Sequence, residues 1–109
     1  MTGGFLSSDR KGLVAVWETQ GQVYFARLDG WGERLAPGEI QVTDRGKYPV
    51  VLRAADGMTL VAWKNGSQLE WQRFDAEGTP QGQRRSTPSD SRDRPTGAVT
   101  KAGRFLLFP

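Results

Sequence analysis

Leu60-Val61-Ala62-Trp63-Lys64-Asn65-Gly66-Ser67-Gln68-Leu69-Glu70-Trp71-Gln72-Arg73-Phe74-Asp75-Ala76-Glu77-Gly78 holds two short runs of strand-forming residues joined by Asn65-Gly66 and closed by Glu77-Gly78. Asn-Gly suits the positive φ of a tight primed turn, so the stretch predicts a hairpin. Working outward, the same punctuation recurs. Apolar runs at Leu13–Trp17, Val23–Asp29, Ile40–Thr43, Tyr48–Ala54, Thr59–Lys64, Leu69–Asp75 and Arg104–Phe108 are cut by Thr19-Gln20-Gly21, Asp29-Gly30 and Asp56-Gly57. Nowhere does an i, i+3, i+4, i+7 stripe persist long enough for a helix, so the expected class is all-β.

Laid on itself with an offset of 46 residues, the chain needs no gap to match Trp17 with Trp63, Gln22 with Gln68, Arg27 with Arg73, Asp29 with Asp75 and Gly32 with Gly78. Asp44 and Asp90, Pro49 and Pro95, Gly57 and Gly103, Leu6 and Leu52, and Leu60 and Leu106 bring the identities to ten in 63 positions. Average residue usage would give about four. The hydrophobic pattern follows, Val23 and Phe25 being answered by Leu69 and Trp71. The reading is one repeat domain over residues 1–109: a first unit at about 3–48 opening in a degenerate strand near Gly4–Ser8, a second at about 49–94, and two strands of a third in 95–109. The second unit has four expected strands, the last a weak polar one near Arg84–Thr87.

With its "VAW" strand, its strand ending Arg73-Phe74-Asp75 and its following Gly78, the unit resembles the blades of bacterial β-propellers of the sialidase-like and related repeat type. The sialidase Asp-box is not present: Ser7-Ser8-Asp9-Arg10-Lys11-Gly12 has one residue too many before its glycine and lacks the following Trp. The resemblance implies four-stranded antiparallel blades stacked face to face. Propellers close with about four to eight such blades, so two would leave sheet faces bare. Completion by oligomerisation, with Arg104–Phe108 exchanged onto a neighbour, or by further sequence is therefore expected. A small β-sandwich of ten strands is the alternative architecture.

Composition limits the chemistry. The 109 residues include no Cys and no His, which removes disulfides, thiolate zinc sites, the commonest general base and the commonest metal ligand. Fifteen Lys and Arg face 12 Asp and Glu, a mild net charge of +3. The positive excess is local, in Arg84, Arg85, Arg92, Arg94, Lys101 and Arg104 against Asp90 and Asp93. That stretch reads as a solvated outer strand and loop; without interleaved aromatics it argues against nucleic acid. No window is apolar enough to span a bilayer with a helix. Missing cysteine fits a reducing compartment and an exported repeat protein alike, so localisation is unassigned.

Candidate ligand-binding residues are Trp17, Trp31, Trp63, Trp71, Arg27 and Arg73. Trp17 and Trp63 share a repeat position that suits packing between units; an indole face also suits sugar stacking. Trp31, in the turn Asp29-Gly30-Trp31-Gly32, is the best candidate for an exposed aromatic. Arg27 and Arg73 each precede an Asp by two residues, on one face of a strand. Their plainer reading is a structural network in which Asp accepts turn N–H groups and the Arg fork supports it; with Arg53 they could instead grip a carboxylate or sulfate. No cofactor or metal is implied. The expected function is a non-catalytic binding or assembly module recognising a protein or glycan, as a homo-oligomer. The alternative is a fragment of a larger propeller enzyme such as a glycoside hydrolase, with Glu18, Glu39 and Glu70 as available carboxylates.

Overall fold

The computed structural model describes residues 2–9, 12–90 and 94–108, and gives the backbone alone for 2–9 and Gly12. The described residues form ten strands and no helix: β1 Thr2–Asp9, β2 Gly12–Thr19, β3 Gln22–Leu28, β4 Ile40–Thr43, β5 Lys47–Arg53, β6 Thr59–Asn65, β7 Gln68–Phe74, β8 Pro80–Pro88, β9 Thr96–Val99 and β10 Phe105–Phe108. They make a four-stranded sheet in the order β1-β2-β3-β4, a second in the order β5-β6-β7-β8, and a two-stranded sheet of β9 and β10. Every pairing is antiparallel between sequence neighbours. β7 begins 46 residues after β3 and β10 46 after β6, while β5 begins 45 after β1, β6 47 after β2, β9 49 after β5 and β8 40 after β4, so the strands recur near the spacing of the sequence identities except at the fourth.

Between sheets, β1 lies against β5 and β5 against β9, so the first strands of the successive sheets are neighbours. The second sheet occupies the middle. From Thr59 to Lys64 every residue of β6 is buried, because both of its faces are covered. One face packs Val51, Val61, Trp63 and Phe74 against Val14, Val16, Val23, Phe25 and Val42 of the first sheet, with Ile40 alongside. Phe25 and Phe74 meet with ring centroids 4.5 Å apart at 52°, a tilted pair of the kind aromatic quadrupoles favour. The other face puts Val50, Ala62 and Leu69 with half-buried Trp71 against Leu107 of β10. Burying both faces requires near-continuous apolar runs, which is why Leu60-Val61-Ala62-Trp63 does not alternate with polar residues.

The two ends of the stack are different. On the first sheet, Leu13, Ala15, Trp17, Tyr24 and Leu28 face away from the second sheet and are half-buried. On the hairpin, Leu106 and Phe108 are exposed, Phe108 by 53%. Residues 46 apart therefore sit in different surroundings: Phe25 is closed over by Phe74, whereas Trp71 is covered only by the hairpin.

The polar strand expected near Arg84–Thr87 is longer, Pro80–Pro88, and solvated along nearly its whole length. Arg84 is the exception to a purely solvated reading. Its guanidinium donates to Val42 O and to Thr43 Oγ1 (3.4 Å) in the first sheet, and its Cζ lies 5.2 Å from the Trp63 ring centroid. Part of the basic segment thus ties the two sheets together. Arg92 and Asp93 lie outside the described residues.

Candidate functional site

The turns after β3 and β7 are built alike. Asp29 Oδ1 accepts N–H groups from Trp31 (2.8 Å) and Glu33 (3.0 Å), and Asp75 Oδ1 accepts those of Glu77 (3.0 Å) and Thr79 (2.9 Å). In both, a glycine at positive φ, Gly32 at 83° and Gly78 at 89°, closes the turn by donating to the Asp carbonyl. An Asx turn followed by a left-handed residue accounts for Asp-x-x-Gly recurring at this spacing.

The arginines do not support these aspartates. Arg27 donates instead to Ala36 O, in the connection after β3, and to Ala76 O (3.1 Å) in the turn after β7, so it clamps the first sheet to the second. Arg73, its counterpart, is exposed, with Cζ 6.0 Å from the Phe105 ring centroid. Arg27→Met leaves two carbonyls without their charged donor and is expected to cost about 1–3 kcal/mol, whereas Arg73→Met should stay within about 0.5 kcal/mol. Urea titration of the two variants measures both.

The four tryptophans also separate. Trp63 is 0% exposed; its indole N–H donates to Glu70 Oε1 (2.8 Å), and Asn65 Nδ2 donates to the same oxygen (3.3 Å). No face of it is open to a ligand, which removes it as a stacking platform. Trp17 is half-buried, stacked on Tyr24 at 6.0 Å and 18°, with Arg34 Cζ 5.0 Å from its ring centroid. Trp71 lines a recess of about 230 Å³ with Leu60, Leu69, Arg73, Phe105 and Leu107, between the second sheet and the hairpin. Trp31 is 90% exposed on its turn. The structure does not bring the six candidates to one place. Of the carboxylates, Glu70 is held by Trp63, and Glu39 makes an exposed ion pair with Arg34 at 3.7 Å.

A larger cavity lies elsewhere, and none of the six residues lines it. A cleft of about 810 Å³ opens where the β2–β3 turn, the β4–β5 connection, the β6–β7 turn and the residues after β8 converge. Arg45, Lys47, Tyr48, Lys64, Ser67 and Ser89 line it, with Asp44 and Asp90. Two features distinguish this wall. The only described non-glycine residues at positive φ, Gln20 (53°) and Tyr48 (55°), are both in it. Gln20 owes its conformation to the two-residue Gln20-Gly21 hairpin turn between Thr19 and Gln22. Tyr48 has no such excuse. It sits in a bulge of β5, where the register shifts between Lys47 and Val50, and precedes Pro49; a bulky residue there is strained, and the bulge turns it outward to 46% exposure. Second, Lys64 is only 5% exposed, and its ammonium donates to Ser89 O (3.1 Å) and Ser89 Oγ (2.8 Å).

No family model, curated protein or solved structure matches this chain. The site therefore has to be argued from its own groups. Sequence reasoning passed over Tyr48 and Lys64. The signals were a Tyr directly before Pro in an apolar strand, and a lysine ending Leu60-Val61-Ala62-Trp63-Lys64 on the same strand face as the buried Leu60 and Ala62.

Proposed function

We propose that the chain is a non-catalytic binding and assembly module made of β-propeller blades, which completes a ring with copies of itself or with further sequence and receives its ligand, a glycan or a segment of a partner protein, in the cleft between blades. The observation that carries this reading is the neighbouring of β1, β5 and β9, the first strands of three successive antiparallel meanders. Sheets arranged radially about an axis bring their innermost strands together in this way while packing face to face, as the first and second sheets do. The stack is also directional. The face of the second sheet that receives the first carries Val61 and Trp63; the equivalent face of the first sheet carries half-buried Ala15 and Trp17, and no other sheet of the described residues lies on it. With Leu106 and Phe108 exposed at the opposite end, the two ends are those of a heterologous interface that repeats until a ring closes.

Light scattering coupled to size exclusion tests the self-assembled form. A single uniform species at a small multiple of 12.1 kDa is the expected result. A lone 12.1 kDa species that melts cooperatively would overturn it.

A further inference from the structure

We propose that the cleft beside Tyr48 is an anion site that takes a ring bearing a carboxylate, of the hexuronic acid class, with the oxyanion directed to Lys64 and the ring against Tyr48. The inference rests on the cleft being the ligand site of the proposed module, and it does not depend on ring closure.

Lys64 is nineteen-twentieths buried, and an ammonium has three N–H donors, of which Ser89 takes two through neutral oxygens. No carboxylate of the described residues lies within ion-pair distance of it; the one such pair is Arg34 with Glu39, far along the chain and exposed. A buried cation is costly unless an opposite charge accompanies it. Here the buried cation and its serine both line an open cleft. Arg45 and Lys47, exposed on the β4–β5 connection, add two cations to the same wall, against Asp44 and Asp90. Among the described residues the lining is thus net positive, and none of their carboxylates pairs with the buried charge. An oxyanion entering the cleft supplies such a pairing, in a setting where water screens it less than on the open surface.

Tyr48 specifies the rest of the ligand. A tyrosine held at a φ of 55° before a proline, half-exposed in a bulge, is maintained against its backbone preference. What the conformation achieves is to set an aromatic face in the same cleft as the lysine. An aromatic face packs on the C–H face of a pyranose, and its hydroxyl reaches ring substituents. Ser67 and Ser89 offer further hydroxyl groups for the remaining polar edge.

Titration calorimetry on the chain as given, with sodium glucuronate as probe and glucose and sodium sulfate as comparison ligands, tests this. Saturable millimolar glucuronate binding is expected, at least tenfold weaker in Lys64→Met and weakening as sodium chloride is raised; glucose and sulfate should each bind at least tenfold more weakly than glucuronate. Tyr48→Gly covers the case in which Lys64→Met does not fold: glycine accepts the left-handed backbone, so this variant should melt no lower than the parent and yet lose at least tenfold in glucuronate affinity. No saturable glucuronate binding, or glucose binding equally well, overturns the anion site. Sulfate binding as tightly as glucuronate overturns the part assigned to Tyr48. Because light scattering on the same samples reads ring formation separately, a failed anion site and a failed assembly are told apart.

Discussion

Trp63→Ala is expected to remove about 3–5 kcal/mol of stability, the range for truncating a large buried aromatic, and thereby to leave the chain unfolded or nearly so at ambient temperature. The indole is fully buried between the first and second sheets, among Val14, Val16, Val23, Phe25, Val51, Val61 and Phe74. Collapse around the void is hindered from one side by Gly46, whose backbone is so close that a Cβ built on it would stand 2.6 Å from Trp63 Cδ1 and 2.9 Å from Val23 Cγ2. Glu70 Oε1 would also lose the indole N–H and keep only the longer contact from Asn65. The informative control is Trp17→Ala, the same residue 46 positions earlier. Trp17 is half-buried on the uncovered face, with Tyr24 and Arg34 as its ring partners, so its loss should cost about 1–2 kcal/mol in the dilute chain, in line with partial burial and one ring contact. Chemical denaturation of both variants decides the matter. Equal costs would mean that the first-to-second sheet contact is not the core of the fold.

The all-β class and its antiparallel strands were legible in the sequence because local turn and strand rules coincide in it with what the core demands. Gln20-Gly21 closes a two-residue hairpin between Thr19 and Gln22; the turn expected at Asn65-Gly66 falls one residue later, at Gly66-Ser67, with Asn65 ending the strand and pairing with Gln68, and the expected strand at Leu69–Asp75 is found at Gln68–Phe74. The 46-residue offset carried the turns at Asp29–Gly32 and Asp75–Gly78, because an aspartate and a glycine three residues apart recur where the same Asx turn recurs. What repetition could not convey is where the repeats stop being equivalent. Trp17 and Trp63, Arg27 and Arg73, Phe25 and Trp71 are paired in sequence yet differ in burial, since that depends on whether another sheet lies beyond. The cleft was illegible for a related reason. It joins a turn of the first sheet, the β4–β5 connection, a turn of the second and the residues after β8, segments distant in sequence whose single residues look ordinary. Lys64 reads as a strand-end cation until the fold closes over it, and Tyr48 reads as another strand residue until the bulge at Lys47–Val50 turns it outward.

Gly78→Ala and Gly32→Ala offer the second large effect, and the difference between them matters more than either value. The two glycines close the same Asx turn at nearly the same φ, 89° and 83°, so both substitutions carry the strain of an L-residue in left-handed backbone, about 1–2 kcal/mol. Beyond that they diverge. A Cβ on Gly78 would stand 2.8 Å from Ile40 Cδ1 of the first sheet, the far end of a flexible, half-buried side chain that must turn aside, which adds about 1 kcal/mol, the low end of overpacking costs. A Cβ on Gly32 would meet nothing within 4 Å. Gly78→Ala should therefore destabilise by about 2–3 kcal/mol and Gly32→Ala by about 1–2 kcal/mol when the protein is dilute, the gap being the inter-sheet contact itself. Gly32 then becomes a reporter of assembly. If another copy seats its hairpin end, which carries Leu106 and Phe108, on the open face of the first sheet, the space beside Gly32 fills and the milder substitution acquires a packing penalty like that of the harsher one. Denaturation of both variants across a concentration series should show the Gly32→Ala cost climbing toward that of Gly78→Ala as the ring fills. A gap that stays constant over the range in which light scattering records assembly would mean that copies meet by some other face, and that the contact between the first two sheets is not the one the protein repeats.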